Sequence, residues 1–178
     1  MSMLRLAILM SCLAFSSNSF SGLLIEPYIG TGMYSTSIDA ATASSYEAST
    51  DSVSTIGGRL GASFILLSAG IDYSMDTMSG GSRSNTAVFV GVDMPILIRG
   101  YAKYIINSDY KDDDIKDAGF DIAFDSGYAI GLGFTGLPLI SINLEMESSK
   151  YKLEYPGASD IDNDWVSYML TVSLPLDF

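Results

Sequence analysis

The chain has 178 residues, and 48% of them are hydrophobic, which is high for a soluble domain. It carries nine Lys and Arg residues against 21 Asp and Glu residues and no histidine, which gives a formal net charge of −12. Because no basic cluster is present to neutralise phosphates, nucleic acid is excluded as a partner. Histidine is the usual general base of enzymes, so its absence means that no enzymatic activity is expected.

Residues 1–21 have the composition of a secretory signal peptide. A basic residue, Arg5, precedes an apolar core from Leu6 to Phe15, and a Ser/Asn-rich tail follows. About ten apolar residues are too few for a helix that spans a bilayer. The single cysteine, Cys12, lies in this segment, so no disulfide is expected after cleavage. A lipoprotein cleavage box ending at Cys12 and a buried first helix are the alternatives.

Eight segments with alternating residue character follow in chain order. Alternation with period two is typical of strands that have one apolar face. The segments are residues 23–34, 54–65, 67–75, 86–94, 97–106, 120–134, 139–147 and 165–178. Longer polar connections alternate with short turns, the longer ones being residues 35–52, 76–85, 107–119 and 148–164. This order predicts an all-β fold over residues 22–178, an eight-stranded antiparallel up-and-down barrel.

The charged residues inside the first seven segments all lie on the face opposite the large aliphatic residues. They are Glu26, Arg59, Asp72, Asp93, Arg99, Lys103, Asp121, Asp125, Glu145 and Glu147. Many strand glycines share that face, as expected where a narrow interior must hold long side chains. A basic residue facing lipid would cost about 2–4 kcal/mol at mid-bilayer. The pattern therefore predicts a transmembrane barrel with the charges inside. A soluble barrel with the reverse arrangement is the alternative.

Eight of these charged residues are predicted to form a network in the lumen. They are Glu26, Arg59, Asp72, Asp93, Arg99, Lys103, Asp125 and Glu145. The interior of an eight-stranded barrel is just wide enough for side chains, so these groups are expected to pair and plug it. An ion pathway along the same residues is the alternative.

The last segment carries an apolar residue at every second position and ends on an aromatic. Its apolar face consists of Tyr168, Leu170, Val172, Leu174, Leu176 and Phe178. This stretch resembles the C-terminal insertion signal of outer-membrane barrels. Aromatic residues near the strand ends predict two interfacial girdles. These are Phe64, Phe134 and Phe178 on the periplasmic side, and Tyr73, Phe120, Phe124 and Tyr168 on the external side.

Residues 23–178 resemble the small OmpA/OmpX-type family of outer-membrane barrels. The resemblance is carried by residues 26–32, 90–104 and 131–138 and by the terminal strand. It implies a Gram-negative type of outer membrane as the location, with lipid, lipopolysaccharide and the barrel-assembly machinery as partners. Because no sequence follows Phe178, the peptidoglycan-binding domain of the OmpA type is not expected.

The function expected from these features is a structural or surface-interaction role through four external loops, with the chain acting as a monomer. A narrow pore for ions or small solutes is the alternative. No cofactor or metal is expected, although the acidic stretches 112–114 and 160–164 are candidates for divalent-ion bridging to lipopolysaccharide. A solvated acidic rim is the simpler interpretation. The partner of the loops stays unidentified, since their few aromatics are Tyr46, Tyr110, Tyr151, Tyr155 and Trp165.

Overall fold

The computed structural model describes residues 22–38, 49–111, 121–154 and 161–178. The predicted signal peptide lies outside the described residues. The strands are β1 (Gly22–Ile38), β2 (Ser49–Phe64), β3 (Leu67–Met78), β4 (Gly81–Met94), β5 (Ile98–Lys111), β6 (Asp121–Leu137), β7 (Ile140–Glu154), β8 (Ile161–Ser173) and β9 (Leu176–Asp177). Within the described ranges, no helix is long and apolar enough to cross a membrane.

Each strand pairs antiparallel with the next, and β1 closes the sheet by pairing with both β2 and β8. The short β9 continues β8 after a break at Leu174 and Pro175. Pairing with β1 spans the break, because the Leu174 N–H donates to the Pro27 carbonyl at 3.0 Å. Leu23 and Phe178 then exchange backbone hydrogen bonds of 3.0 and 3.1 Å. The predicted eight-stranded up-and-down barrel is therefore confirmed, with β8 and β9 as its eighth strand.

The connection between β3 and β4 corrects one prediction. Residues 76–85 were expected to form a long loop, but Met78 pairs with Gly81 and only residues 79–80 turn. This Ser/Gly-rich stretch has no apolar face, so its sequence carries no strand pattern. The turn is fastened to β2, because the Ser79 hydroxyl donates to the Asp51 carboxylate. This carboxylate also accepts a hydrogen bond from the Ser52 N–H. These two donors lower the pKa of Asp51.

The three connections at the opposite end are short, as predicted. They are residues 65–66, 95–97 and 138–139, and they lie at the end where the described chain begins and finishes. Each holds one bulky residue in the left-handed backbone region, namely Ile65 (φ 58°), Leu97 (φ 63°) and Leu139 (φ 68°). Short turns at the terminal end mark the periplasmic side of such barrels.

The outer surface of the barrel has an apolar belt with an aromatic border. Tyr73, Tyr104, Tyr128 and Tyr168 point outward on four different strands and are 49%, 58%, 56% and 53% exposed. From Tyr168 to Phe178 the eighth strand advances ten residues, which rises about 25 Å at the usual tilt. That is the height of the apolar band of outer-membrane barrels.

Candidate functional site

The sheet register places opposite charges directly across from each other inside the barrel. Glu26 on β1 pairs with Arg59 on β2, which pairs with Asp72 on β3. Asp93 on β4 is likewise opposite Arg99 on β5. Since cross-strand neighbours have Cβ atoms only about 5 Å apart, the register alone brings these groups within reach of salt bridges.

The centre of the lumen is a cluster of two cations and two carboxylates. Lys103 Nζ lies 3.1 Å from Asp72 Oδ2 and 2.9 Å from Glu145 Oε2. Arg59 contacts the same two carboxylates, at 3.1 Å through Nε and 3.6 Å through Nη2. All four side chains are at most 6% exposed. The cluster therefore crosses the barrel and joins β2, β3, β5 and β7.

Two tyrosines complete this cluster. Tyr28 donates its hydroxyl to Asp72 Oδ1 at 3.0 Å, and Tyr101 donates to Glu145 Oε2 at 2.8 Å. The Arg59 guanidinium lies 4.2 Å from the centroid of the Tyr101 ring. This ring occupies the space where a Cβ at Gly131 would be, which explains why a wall residue here must be glycine.

A second group continues the network toward the periplasmic end. Glu26 binds Arg59 at 3.3 Å through Oε1 and Arg99 at 2.8 Å through Oε2. Ser173 donates its hydroxyl to Glu26 Oε1 at 2.6 Å. Arg99 also contacts Asp93 at 2.7 Å. Glu26 is fully buried and links the two arginines, so the charged groups form one chain from Asp93 to Lys103.

A third group, nearer the external end, was missed by the sequence reasoning. Arg83 lies 2.6 Å from both Asp76 Oδ2 and Glu147 Oε1, and Asn85 donates to Asp76 at 3.3 Å. Glu147 was predicted to point inward, but Asp76 and Arg83 were assigned to a loop. Pairing of opposite charges seven residues apart across a short turn was the signal that could have revealed them.

Above this group, aromatic side chains fill the barrel. Tyr34 stacks on Trp165 with ring centroids 4.5 Å apart, and Tyr110 and Tyr151 meet the same indole edge-on at 5.7 and 6.0 Å. Val53, Met78 and Met169 pack against them. Tyr110, Tyr151 and Trp165 were considered as aromatics of the external loops. The structure corrects this, because they belong to strands and point into the barrel. Tyr46 and Tyr155 lie outside the described residues.

Asp125 does not belong to the lumen network, contrary to the prediction. A β-bulge between Phe124 and Ser126 shifts the register of β6 against β7. Asp125 is consequently exposed and pairs with Lys152 at 3.3 Å on the outside. The same shift turns Phe124 away from lipid, so that it packs on Tyr151 instead of joining the external girdle.

The other predicted residues lie on the expected faces. Glu26, Arg59, Asp72, Arg99, Lys103 and Glu145 are buried inside, and Asp93 is partly buried. Tyr168, Leu170, Val172, Leu174, Leu176 and Phe178 are all exposed on the outside. Phe64, Phe134 and Tyr73 are exposed as the girdle prediction required. Phe120 and the side chain of Asp121 lie outside the described residues.

The residues on the outer and inner surfaces of the barrel show whether lipid or water surrounds it. Large aliphatic residues cover the outside, with Ile29, Val90 and Leu132 each 61–62% exposed, while acidic and basic side chains are buried inside. A soluble barrel needs the reverse arrangement. Closed antiparallel barrels with an apolar exterior are structures of the outer membrane. The protein is therefore a small outer-membrane β-barrel.

No group of three or more potential metal ligands occurs within the described ranges. Ser126 and Asp125 meet at the bulge, where the Ser126 hydroxyl donates to the carboxylate at 3.5 Å. Strand alternation would have placed them on opposite faces. The pair is exposed, and the Asp125 carboxylate also forms a salt bridge with Lys152.

No protein-family model and no curated protein matches the sequence. Among solved structures, the chain is similar to the outer membrane protein OprG from Pseudomonas aeruginosa, with 12% identity, a TM-score of 0.41, and 87% of this chain and 96% of that chain covered. It is also similar to the KdgM porin, with 11% identity, a TM-score of 0.31, and coverage of 87% and 98%. A KdgM porin in complex with disordered oligogalacturonate gives 12% identity, a TM-score of 0.32, and coverage of 85% and 98%. At these levels nothing about activity carries over, and the fold stands on the strand pairing described above.

Proposed function

We propose that this outer-membrane barrel has a structural or surface-interaction role, exerted at its external end by a monomer. The observation that carries the proposal is the burial of the lumen charges. Counted over backbone and side chain together, Arg59, Asp72, Lys103 and Glu145 are 3%, 2%, 7% and 4% exposed. Side chains that line a water-filled channel stay wetted and keep more exposed surface. The central cluster therefore plugs the barrel, and contact with the surroundings takes place outside it.

The external wall offers the surface for this role. From Tyr168 up to Ile161, the eighth strand continues seven residues beyond the aromatic border, a rise of about 18 Å above the membrane. Outward residues on β1 to β4 are mainly hydroxyl-bearing, namely Ser37, Thr50, Ser52, Thr77 and Ser82. Those on β5 to β8 are mainly charged, namely Asp109, Lys111, Lys150, Lys152 and Asp164. Such a polar wall suits lipopolysaccharide sugars and phosphates or a polar partner better than an apolar one.

Replacement of each external connection tests the proposal. Residues 39–48, 112–120 and 155–160 would be exchanged one at a time for short Gly/Ser linkers. The fourth external connection, the two-residue turn at 79–80, would be left unchanged in every variant. Surface adhesion and outer-membrane integrity, measured as detergent sensitivity of cells, should fall for at least one replacement while the amount of folded barrel stays unchanged. Equal adhesion and integrity for all three, and for a strain without the protein, would contradict the proposal.

A narrow pore is the second candidate, and one observation favours it. The interior holds more carboxylates than cations around Arg83, and Asp76 Oδ1 is buried without a hydrogen-bond partner. A lumen with surplus negative charge would select cations if it opened. Planar bilayers containing the purified protein should show no steady conductance. Cation-selective openings that Asp76→Asn abolishes would establish the pore instead.

We further propose that the barrel is of the OmpA/OmpX type, which is supported by the sequence stretches that resemble that family. We also propose no enzymatic activity. The Ser–Asp contact at the bulge, between Ser126 and Asp125, faces outward beside Lys152 and has no histidine to act as a base. Purified protein should leave fluorescent lipid, ester and peptide substrates uncleaved.

A further inference from the structure

The three turns at the periplasmic end are apolar and exposed. Ile65 and Leu66 are 58% and 44% exposed, Ile96 and Leu97 are 67% and 48%, and Leu139 is 76%. Hairpin turns that face water are normally built from Gly, Asn, Asp and Ser. We call these five residues the apolar turn ring. An exposed apolar set of this kind marks a surface that something covers.

Backbone geometry shows that these side chains do not serve the turns themselves. Ile65, Leu97 and Leu139 have φ values of 58°, 63° and 68°. Glycine or asparagine adopts this left-handed conformation easily, whereas a bulky or β-branched residue is strained there. The turns would thus be more stable with other residues, and the apolar side chains must contribute through what they contact.

The turns are also prepared for a medium without water. The Asp93 N–H donates to the Leu66 carbonyl at 2.7 Å, and the Thr135 N–H donates to the Leu97 carbonyl at 2.8 Å. The first two turns are therefore each bonded to the next strand around the barrel. Backbone groups that lie against lipid must be satisfied within the protein. These two hydrogen bonds satisfy the carbonyls of Leu66 and Leu97, and Asp93 directs its charge inward to Arg99.

The apolar turn ring is continuous with the lipid-facing belt. Phe64 and Leu67 flank the first turn on the outside of the barrel, and both are 58% exposed. The belt from Tyr168 to Phe178 rises about 25 Å, so a bilayer that begins at the tyrosine border reaches the level of the turns. The barrel wall thus extends well beyond the membrane only on the external side.

From the strain, the satisfied carbonyls and the continuity with the belt, we propose that the apolar turn ring lies in the inner leaflet and binds phospholipid. It anchors the periplasmic end of the barrel at the level of the acyl-chain and headgroup boundary. This surface is then covered by lipid and is closed to soluble periplasmic proteins.

Single-tryptophan fluorescence tests the location. The chain has one tryptophan, so a Trp165→Phe background leaves Leu66→Trp and Ile96→Trp as lone reporters. Leu132→Trp in the belt and Ser82→Trp on the external wall are matched controls, and a heat-dependent gel shift confirms folding. In phosphatidylethanolamine/phosphatidylglycerol vesicles, both turn reporters should be quenched several-fold by acyl chains brominated near the headgroup. Emission and acrylamide quenching equal to those of Ser82→Trp would overturn the proposal and leave the ring open to a soluble partner.

The second test uses substitutions for which relief of strain and loss of lipid binding predict opposite changes in the unfolding rate. Leu97→Asn and Leu139→Asn introduce a residue that accepts positive φ, so relief of strain alone would slow unfolding in the same vesicles. If the side chains bind lipid, both variants should unfold about tenfold faster than the parent, while Ser82→Asn should unfold at the parent rate. Slower unfolding of the two turn variants would contradict lipid anchoring.

Discussion

Lys103→Met removes one of the two cations from the central cluster while keeping an unbranched side chain that is only one atom shorter. Its Nζ lies 3.1 Å from Asp72 Oδ2 and 2.9 Å from Glu145 Oε2, and neither carboxylate is more than 4% exposed. At an effective dielectric constant of about 20, one contact at 3 Å is worth roughly 5 kcal/mol before desolvation is counted. Removal of one partner from a buried ion pair typically costs about 3–5 kcal/mol net.

Arg59 sets where in that range the loss should fall. It stays within 3.1 Å of Asp72 and 3.6 Å of Glu145, so neither carboxylate is left without a cation. We therefore expect the free energy of unfolding to drop by about 3 kcal/mol, the lower end of the range. Lys111→Met is the matched control, because Lys111 is 73% exposed in its 3.4 Å pair with Asp109. It should change stability by less than about 0.5 kcal/mol.

Urea unfolding in lipid vesicles, followed by the heat-dependent gel shift, measures both variants. Adding Glu145→Gln to Lys103→Met should cost less than the sum of the single changes, because the surplus carboxylate is removed together with its cation. If Lys103→Met is no more harmful than Lys111→Met, the cluster is not a buried network. A large conductance of the unsubstituted protein in planar bilayers would refute the plug directly.

Three further changes test the faces of the barrel. Leu170→Lys, at a lipid-facing position 52% exposed, should cost about 2–4 kcal/mol in vesicles, whereas Ser52→Lys on the external wall should cost less than about 1 kcal/mol. Gly131→Ala should lower the free energy of unfolding by about 1–3 kcal/mol, because its Cβ would meet an inward tyrosine ring; Gly58→Ala, with its nearest atom at 3.7 Å, should be tolerated. Asp125→Asn should alter stability by less than about 0.5 kcal/mol, since its pair with lysine is exposed; a loss like that of Lys103→Met would place Asp125 in the lumen after all.

Much of the barrel could be predicted because lipid imposes a strict pattern. Wherever a strand crosses the belt, every second residue must be apolar, and the polar residues left over must point inward. That rule located Arg59, Lys103 and Glu145 without any knowledge of the register. The partners of each charge could not be predicted, because they depend on which residues the sheet places opposite each other.

The bulge at Asp125 shows a different limit. Ile122 and Phe124 keep the apolar period of β6, and only the polar Ser126 interrupts that series, which does not by itself reveal a change of face. One extra residue moves the side chains on the far side of the bulge, here Ile122 and Phe124, to the other face of the sheet. A phenylalanine is equally suited to lipid outside and to the aromatic cluster inside, which is why hydropathy could not separate the two positions.

The misassigned aromatics of the external end have another physical cause, because polar and apolar residues exchange faces above the membrane. Within the belt, β7 points Leu144 outward and Glu145 inward. Higher on the same strand, the inward residue is Tyr151 and the outward residue is Lys150, which pairs with Asp164. Water now surrounds the wall, so the hydrophobic effect favours apolar residues inside, as in any soluble barrel. In a strand whose apolar face changes sides halfway along, the alternation of the two halves cancels. The external half of such a strand therefore resembled a polar loop. The external half of the barrel is therefore surrounded by water and has a small hydrophobic core of its own, although the same strands form the membrane half.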